Sequence, residues 1–235
     1  KQKTAYEIGV RLVGSEMCIR DRAIGCMIIT GSEKAFAAGA DLSEFDFAPG
    51  PDLVERANPG PVIDQAFNPT VRRLQALRVP TIAAVNGVAA GAGASLAMTC
   101  DIAIAAPGAS FIQAFSKIGL IPDAGGSWFL VERLGLARAL ALAMTGDKLP
   151  AVQAKEWGMI WDVADDPLAA ALVICGHGQL ATMAAKESVN RSFESGLSDG
   201  VMFERRLFHS LFATADQKEG MDAFLNKRPP AFTHR

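Results

Sequence analysis

Three glycine-containing turns could carry chemistry in this chain. They are AAGAD at 37–41, AAGAGAS at 89–95 and IPDAGGS at 121–127, and each is predicted to follow a strand-like run and to precede helix-like sequence. A helix N-terminus presents backbone N–H groups that have no partner within the helix. Two such turns brought together can point two amides at one carbonyl oxygen, which makes an oxyanion hole. For any single turn, close packing of strand on helix is the stronger explanation of the glycines, so it is the three together that favour a site.

Asp123 is the acidic side chain of the third turn. An aspartate two or three residues before a helix is often the N-cap of that helix. Alternatively, the apolar neighbours Ile121, Pro122 and Ala124 would raise the pKa of the carboxyl group toward the range of a general base. The residues alone leave Asp123 as either a cap or a catalytic base.

Other kinds of site find little support. His177, His209 and His234 lack metal-ligand spacing, so the sequence predicts neither a metal site nor a histidine-based triad. Ser95 and Ser127 lie outside any G-x-S-x-G elbow. With 23 basic and 25 acidic residues and a net charge of -2, the chain has no electrostatic footprint for nucleic acid or an anionic membrane. A small neutral or weakly anionic ligand fits better.

Cysteine usage and hydropathy bear on the compartment. The four cysteines, at positions 18, 26, 100 and 175, form no C-x-x-C pair, which predicts reduced thiols in a reducing, cytoplasmic compartment. The weakly polar stretch 81–98 is long enough to span a bilayer, but it is built mainly from alanine, glycine and valine and contains Asn86. We interpret it as buried backbone rather than a membrane span.

Apolar runs predict the elements that position these turns. AIGCMIITG at 23–31, VPTIAAVNGV at 79–88 and DIAIAAPGASF at 101–111 are each predicted to hold a buried strand. AGAGASLAMTC predicts a helix so poor in bulk that its backbone must pack closely on something. Because these strands alternate with helices of roughly ten to fifteen residues, the sequence predicts an α/β fold with parallel strands.

The rest of the chain is predicted to be largely helical. VIDQAFNPTVRRLQAL has helical spacing on both sides of Pro69, after a segment too proline-rich for regular structure before about residue 62. GGSWFLVERLGLARALALAMTG is predicted to be helical up to Gly146, and four more helical segments reach Phe224. This helical tail could be a second layer or an oligomerisation surface.

These patterns divide the chain into three parts. EIGVRLVGSEMCIRDR at 7–22 resembles translated sequencing-adapter read-through, and residues 1–22 are predicted to be a non-native or disordered arm, with an unusual native arm as the alternative. Residues 23–145 are predicted to form the α/β core, and residues 146–235 a C-terminal helical region.

Three runs carry a family resemblance. FAAGADL, VNGVAAGAGASLAMTCDIAIA and FSKIGLIPDAGG closely resemble the enoyl-CoA hydratase/isomerase, or crotonase, superfamily, and the likeness covers residues 23–235. FNPTVRRL, AFSKIGLIPDAGGSW, AKEWGMIWDVADD and FLNKRPPAFT are similar to the isomerases of 2-(1,2-epoxy-1,2-dihydrophenyl)acetyl-CoA in phenylacetate breakdown. The resemblance implies stacked ββα units in a superhelix and a C-terminal helical region that builds homotrimers, often paired as hexamers.

The resemblance also implies roles for residues. The backbone N–H groups of Ala40 and Ala92 would form the oxyanion hole for the thioester oxygen. The residues implied to line the acyl-CoA cleft are Ala38, Asp41, Leu42, Gly91 and Phe115. No metal or redox cofactor is implied, because the CoA thioester of the substrate supplies the electron sink.

Two positions depart from the hydratase pattern. Crotonase hydratases carry glutamates where this chain has Ser95 and Phe115, so both water-adding carboxylates are missing and hydration is not expected. The phenylacetate-pathway isomerases carry an aspartate at the place of Asp123. The resemblance therefore implies an isomerase in which Asp123 moves a proton while Ala40 and Ala92 hold the enolate charge.

Two alternatives remain. The family's aryl-CoA dehalogenases place an attacking aspartate at the turn of Asp123, and an aromatic cage for such a reaction would have to come from Phe115 and Trp128. A non-catalytic acyl-CoA-binding subunit is the other alternative. It gains weight because family members have a strand pair and a helix before the first strand, of which this chain has no recognisable version, so the core at 23–145 is predicted to be N-terminally incomplete.

Overall fold

Two four-stranded sheets form the centre of the fold. The computed structural model describes residues 24–32, 35–41, 45–46 and 48–233, so the predicted arm at 1–22 and the predicted cleft residue Leu42 lie outside the described residues. The strands are β1 (Met27–Thr30), β2 (Ala35–Ala37), β3 (Thr81–Val85), β4 (Val88–Ala90), β5 (Ile102–Ala105), β6 (Ser110–Ile112), β7 (Lys148–Pro150) and β8 (Asp162–Val163).

Odd-numbered and even-numbered strands separate into different sheets over the first six strands. One sheet has the order β1-β3-β5-β8 and the other β2-β4-β6-β7. All pairs are parallel except β6 with β7. The predicted α/β class with parallel strands is therefore confirmed, apart from the antiparallel β7.

Helices connect the strands and make up most of the C-terminal part. They are α1 (Leu53–Arg56), α2 (Gly60–Val62), α3 (Asn68–Ala76), α4 (Ala92–Thr99), α5 (Gly126–Leu134), α6 (Leu136–Thr145), α7 (Ala151–Glu156), α8 (Pro167–Cys175), α9 (Gln179–Ser192), α10 (Leu197–Leu211) and α11 (Ala215–Leu225). A π-helical turn, Ile63–Phe67, joins α2 to α3, and a 3-10 helix spans Ala114–Ile118.

Several predicted elements differ from the structure. Regular structure begins before residue 62, because α1 and α2 both lie within the proline-rich segment, and Pro61 sits in the first turn of α2, where its missing N–H costs nothing. The helical tail contains five helices after Gly146 rather than four, and the short strands β7 and β8 as well. The helix predicted up to Gly146 is two helices, separated at Gly135, whose φ of 73° suits glycine.

The core lies between the sheets and helix α4. Every residue of β3 is buried, and so is every residue of α4, as its lack of bulk predicts. The Arg133 guanidinium on α5 donates to the carbonyl oxygens of Met98 and Cys100 at 2.7 and 2.8 Å, which satisfies backbone groups at the end of α4. Helix α4, whose first turn belongs to the second glycine-containing turn, is thus held at its C-terminal end by α5.

A buried ion pair ties the C-terminal helices to the core. Lys186 on α9 lies 2.7 Å from the Asp101 carboxylate and donates to the carbonyl oxygen of Val79 at 3.2 Å. Within the described part of the chain no single helix is long and apolar enough to cross a bilayer. Helices α8 and α9 together have the length and composition of a membrane span, but they are bent by 99° relative to each other.

Candidate active site

The first two glycine-containing turns lie side by side. Ala37 pairs with Ala89 in the parallel β2–β4 ladder, and β2 ends at Ala37 and β4 one residue later, at Ala90. A Cβ at Gly39, where φ is 87°, would lie 3.1 Å from the Ala90 carbonyl oxygen and 3.3 Å from the Ala92 nitrogen. Because the two backbone segments are this close and φ is positive, a residue without a side chain fits best at position 39.

The backbone amides of Ala40 and Ala92 lie at this contact. Ala92 is the first residue of α4, after Gly91 at φ 54°, and α4 has no side-chain N-cap. Within the described residues, neither the Ala40 nor the Ala92 N–H has a hydrogen-bond acceptor. An N–H that is unpaired in a nearly buried turn is available to a ligand oxygen.

Asp123 begins the third turn. The Gly126 N–H donates to the Asp123 carbonyl oxygen at 2.7 Å, and the two central residues, Ala124 and Gly125, have φ values of 49° and 77°. Positive φ at both positions makes this a type I′ turn. It follows the 3-10 helix Ala114–Ile118 rather than a strand, which corrects the prediction that each of the three turns follows a strand-like run.

The structure excludes the N-cap interpretation of Asp123. The N-cap of α5 is Gly125, and no side chain caps that helix. Instead, the Asp123 Oδ1 is buried without a hydrogen-bond partner among the described residues. Burial raises the pKa of the Asp123 carboxyl above its ordinary value, and its own backbone N–H opposes this more weakly.

The raised pKa of Asp123 agrees with the sequence prediction, but not all three of the apolar neighbours that were expected to raise it surround the carboxyl group. Ile121 is 80% exposed, whereas Ala124 is buried. Of the three predicted neighbours, buried Ala124 and half-buried Pro122 therefore flank the carboxyl group, whereas Ile121 points to solvent.

All three turns converge on one small apolar cluster. Buried Ala92 and Ala124 pack with Ala66 and Phe67 from the α2–α3 segment, and half-buried Ala40 packs against them. The cluster thus contains the residue that follows the candidate base and both residues with free amides. The sequence predicted these three turns as one site, and the structure brings them together.

The predicted cleft residues take different places around this cluster. Gly91 lies against the edge of the Phe115 ring, since a Cβ there would be 3.5 Å from the ring atom Cζ. Ala38 and Asp41 are exposed beside the first turn. Trp128, considered for an aromatic cage, is 61% exposed and packs edge-on against Phe129.

Two polar residues that sequence reasoning did not assign lie beside the site. Ser95 donates its hydroxyl to the Asp123 carbonyl oxygen at 3.0 Å. Gln113 directly follows Ile112, whose carbonyl accepts from the Gly91 N–H at 2.9 Å, and both carboxamide atoms of Gln113 are buried without partners within the described residues. The sequence marked Ser95 only as a missing glutamate, and nothing in the residues around Gln113 predicted its burial.

Comparison with known proteins assigns the chain to a family. The model of the enoyl-CoA hydratase/isomerase family matches residues 15–235. This chain belongs to the enoyl-CoA hydratase/isomerase family. Membership makes it an enzyme of acyl-CoA metabolism and confirms the superfamily resemblance found in the three turns.

Relatives carry two kinds of name. A probable enoyl-CoA hydratase of Mycobacterium tuberculosis is 48% identical over 221 residues, which cover 92% of this chain and 82% of the relative. The 1,2-epoxyphenylacetyl-CoA isomerase of Escherichia coli is 44% identical over 223 residues, covering 91% and 83%. Both hydratase and isomerase names thus occur at similar identity, so the names leave the reaction type open.

Solved structures confirm the fold. A putative enoyl-CoA hydratase/isomerase from Mycobacterium abscessus superposes with a TM-score of 0.85 at 30% identity, covering 97% of this chain and 90% of that one. An enoyl-CoA hydratase subunit from Geobacillus kaustophilus gives 0.80 at 33% identity, covering 100% and 90%. The α/β crotonase fold predicted from the resemblance is therefore confirmed.

Proposed function

We propose that this family member is an acyl-CoA isomerase in which Asp123 is the single acid/base group. The observation that carries the proposal is the Asp123 carboxyl itself, whose Oδ1 is buried and unpaired within the described residues, on a turn packed against the two free amides. A carboxylate with one oxygen unpaired among the described residues and a raised pKa is suited to take up and return a proton.

Ser95 and Phe115 argue against hydration. The Ser95 hydroxyl is fully buried and already donates to a backbone carbonyl, and Phe115 offers no titratable group. Adding water across a double bond in this family uses paired carboxylates at these two positions. With both absent, Asp123 is left to act alone, which suits a reaction that moves one proton and adds nothing.

The mechanism follows for a 3-enoyl-CoA. The Asp123 carboxylate removes a proton from C2, between the thioester and the double bond, and the electron pair moves into the thioester carbonyl. The Ala40 and Ala92 N–H groups donate to the resulting enolate oxygen, a contribution worth about a hundred- to a thousandfold in rate per donor. The protonated Asp123 then delivers the same proton to C4, which gives the conjugated 2-enoyl-CoA and restores the carboxylate.

The proposed natural substrate is 2-(1,2-epoxy-1,2-dihydrophenyl)acetyl-CoA, converted to the oxepin-CoA. The 44% identity to the Escherichia coli isomerase supports this choice, as does the apolar Phe115 ring beside Gly91. Asp123 would assist the opening of the epoxide and the expansion of the ring, and no separate cofactor is required. A cytoplasmic location stays a prediction.

Assembly into homotrimers or hexamers is part of the proposal. Large apolar side chains remain exposed on the C-terminal helices, among them Phe193, Leu197, Phe208 and Phe212. Apolar area on this scale is typical of a surface that another chain covers. Light scattering after size exclusion should give the mass of three or six chains, and a monomeric Phe208→Glu variant would place the interface there.

The test uses two substrates and one matched control. Purified protein is given trans-3-hexenoyl-CoA and the ring epoxide of phenylacetyl-CoA, alongside Asp123→Asn and the exposed-site control Asp165→Asn. We expect turnover by the wild type and by Asp165→Asn, and its loss in Asp123→Asn. Full activity in Asp123→Asn would overturn the proposal. Water addition to a 2-enoyl-CoA or halide release from a halobenzoyl-CoA, without isomerisation, would replace it with a hydratase or a dehalogenase.

A further inference from the structure

The Ser95 side chain makes an unusual hydrogen bond for a helix. A serine or threonine within a helix usually donates back to the carbonyl four residues earlier. Thr99 on α4 does so, to the Ser95 carbonyl oxygen at 2.9 Å. Ser95 itself lies 3.5 Å from the matching acceptor, the Gly91 carbonyl oxygen, and only 3.0 Å from the Asp123 carbonyl oxygen, 28 residues away in sequence.

The Gly91 carbonyl is a poorer acceptor for a second reason. It already accepts the N–H groups of Ala94 and Ser95 at 3.0 and 3.1 Å. A serine hydroxyl has one proton to donate. The shorter contact and the less occupied acceptor both direct that proton to Asp123.

Gly126 makes room for this contact. A Cβ at Gly126 would lie 2.5 Å from the Ser95 hydroxyl oxygen and 3.2 Å from the Pro122 Cβ. The Gly126 φ is not in the left-handed region, so backbone conformation does not demand glycine there. The small residue is needed so that the serine can reach the turn.

The turn that Ser95 holds is strained. An L-residue at positive φ, such as Ala124 at 49°, costs roughly 1–2 kcal/mol and persists where its surroundings impose it. The Asp123 carbonyl is fixed by two donors, the Gly126 N–H at 2.7 Å and the Ser95 hydroxyl at 3.0 Å. Of the two, only Ser95 comes from outside the turn.

We propose that Ser95 is a positioning residue for catalysis: its hydrogen bond to the Asp123 backbone fixes the strained turn so that the carboxylate stays aimed at the substrate. The inference rests on the proposed function, because Asp123 must be the base. It also links two parts of the machinery, since Ser95 lies on the first turn of α4, three residues after the Ala92 amide. Helix α4 thereby sets the base and one oxyanion donor relative to each other.

The same contact shields the carboxylate. The raised pKa of Asp123 comes from burial, opposed only by its own backbone N–H, and no charged side chain of the described residues contributes. A turn released by loss of the Ser95 bond admits water to the carboxylate, and the pKa then falls toward that of an ordinary aspartate. Position and pKa should therefore change together.

The experiment compares Ser95→Ala with Thr99→Val. Both variants remove one buried hydroxyl from α4, and each should lose about 1 kcal/mol of stability. We expect Ser95→Ala to lower kcat on trans-3-hexenoyl-CoA by roughly ten- to a hundredfold, as a small misplacement of a catalytic group does. In Ser95→Ala, KM should change little and the acid limb of the pH profile of kcat/KM should move to lower pH. Thr99→Val should keep the wild-type kcat and the wild-type pH profile.

Two further measurements keep the inference falsifiable. In Gly126→Ala, the new methyl group displaces the Ser95 hydroxyl from its acceptor. This variant should therefore lower kcat and shift the acid limb of kcat/KM to lower pH, as Ser95→Ala does. In unliganded protein with 13C-labelled aspartate, the Asp123 resonance, assigned by its loss in Asp123→Asn, should titrate at lower pH in Ser95→Ala than in the wild type. This readout does not depend on turnover.

The outcomes separate the two proposals. An inactive Asp123→Asn combined with wild-type kcat and titration in Ser95→Ala overturns the role of Ser95 and leaves the proposed function standing. A fully active Asp123→Asn overturns the proposed function, and with it the inference. If Thr99→Val shows the same losses as Ser95→Ala, the serine is merely structural.

Discussion

Gly93 packs its Cα directly against the backbone of Ala37, and no side chain fits between them. A Cβ at Gly93 would lie 2.3 Å from the Ala37 carbonyl oxygen and 2.7 Å from the Ala37 Cβ. This contact brings the first turn against the first turn of α4, and the Ala40 and Ala92 amides come together as a result. The separation of the two proposed oxyanion donors therefore depends on the absence of a single methyl group.

Gly93→Ala should accordingly damage both stability and turnover. The new methyl group meets backbone, which cannot swing aside, so we expect a loss of about 1–3 kcal/mol in the free energy of unfolding. Folded Gly93→Ala protein should also turn over more slowly, because the two turns are forced apart. Gly108→Ala is the control, since a Cβ at Gly108 meets nothing within 4 Å. Equal thermal midpoints for the two variants would refute the packing argument.

Ala124→Gly tests the strained turn. Glycine relieves the strain of the positive φ but removes a methyl group packed with Ala92 and Phe67, so the two effects on the free energy of unfolding should largely cancel. The kcat should nevertheless fall, because the turn that carries Asp123 becomes more flexible. Lys227, exposed and at φ 52°, is the matched position without packing. Lys227→Gly should raise the free energy of unfolding by about 1 kcal/mol in chemical denaturation and leave kcat unchanged. An Ala124→Gly variant with unaltered kcat would show that the turn needs no methyl group.

The raised pKa of Asp123 has a consequence for stability. A carboxyl group that holds its proton more tightly when folded favours folding at low pH, and that contribution is lost as the pH rises through the folded pKa. Above that pH the buried charge opposes folding. Asp123→Asn should therefore be more stable than the wild type at neutral pH, and the difference should vanish in acid. Thermal melts across pH, with exposed Asp165→Asn as the control, check this; a less stable Asp123→Asn at neutral pH would contradict it.

The ion pair between Lys186 and Asp101 should matter more than a surface pair. The Lys186 side chain is 8% exposed and that of Asp101 20%, and Lys186→Met would leave the half-buried Asp101 carboxylate with only the hydrogen bonds from Thr81, at a cost of about 2–3 kcal/mol. Lys155 and Asp162 form an exposed pair at 2.6 Å, so Lys155→Met should cost at most about 1 kcal/mol. Urea unfolding of both variants measures the difference, and similar midpoints would mean that α9 is not anchored here.

Long apolar runs were readable from the sequence, whereas short strands were not. The β1, β3 and β5 strands lie within the three runs that predicted them. Strands buried on both faces need apolar residues throughout, and the predicted burial is confirmed for β3 and for most of β5. It is wrong for β1, which is half-buried and ends at the exposed Thr30. Strands β4 and β6 have three residues each, too few for any periodicity, and the sequence predicted neither as a separate strand. β4 spans the end of the run 79–88 and the start of the turn 89–95, and β6 begins inside the run 101–111. Both nevertheless matter, since the second sheet aligns the first turn with α4.

The candidate site was predictable in its turns but not in its contacts. Glycine and alanine at 37–41, 89–95 and 121–127 indicate that backbone segments pack closely there. The structure shows which segments these are: the three turns pack against one another around a single apolar cluster. The choice between cap and base for Asp123 required knowledge of where α5 begins, and a type I′ turn with alanine at positive φ is not expected from local preference. The Ser95 bond joins residues 28 apart, a distance over which sequence pattern carries no information.

Proton exchange tests the central claim, that Asp123 is the base, without requiring the natural substrate. A 3-enoyl-CoA is incubated with the protein in D2O, and deuterium incorporation at C2 and C4 is followed by mass spectrometry in the wild type, Asp123→Asn and Asp165→Asn. We expect the wild type and Asp165→Asn to exchange and isomerise, and Asp123→Asn to lose both by a hundredfold or more on the scale of a general base. Exchange at the wild-type rate in Asp123→Asn would contradict the assignment of Asp123 as the catalytic base.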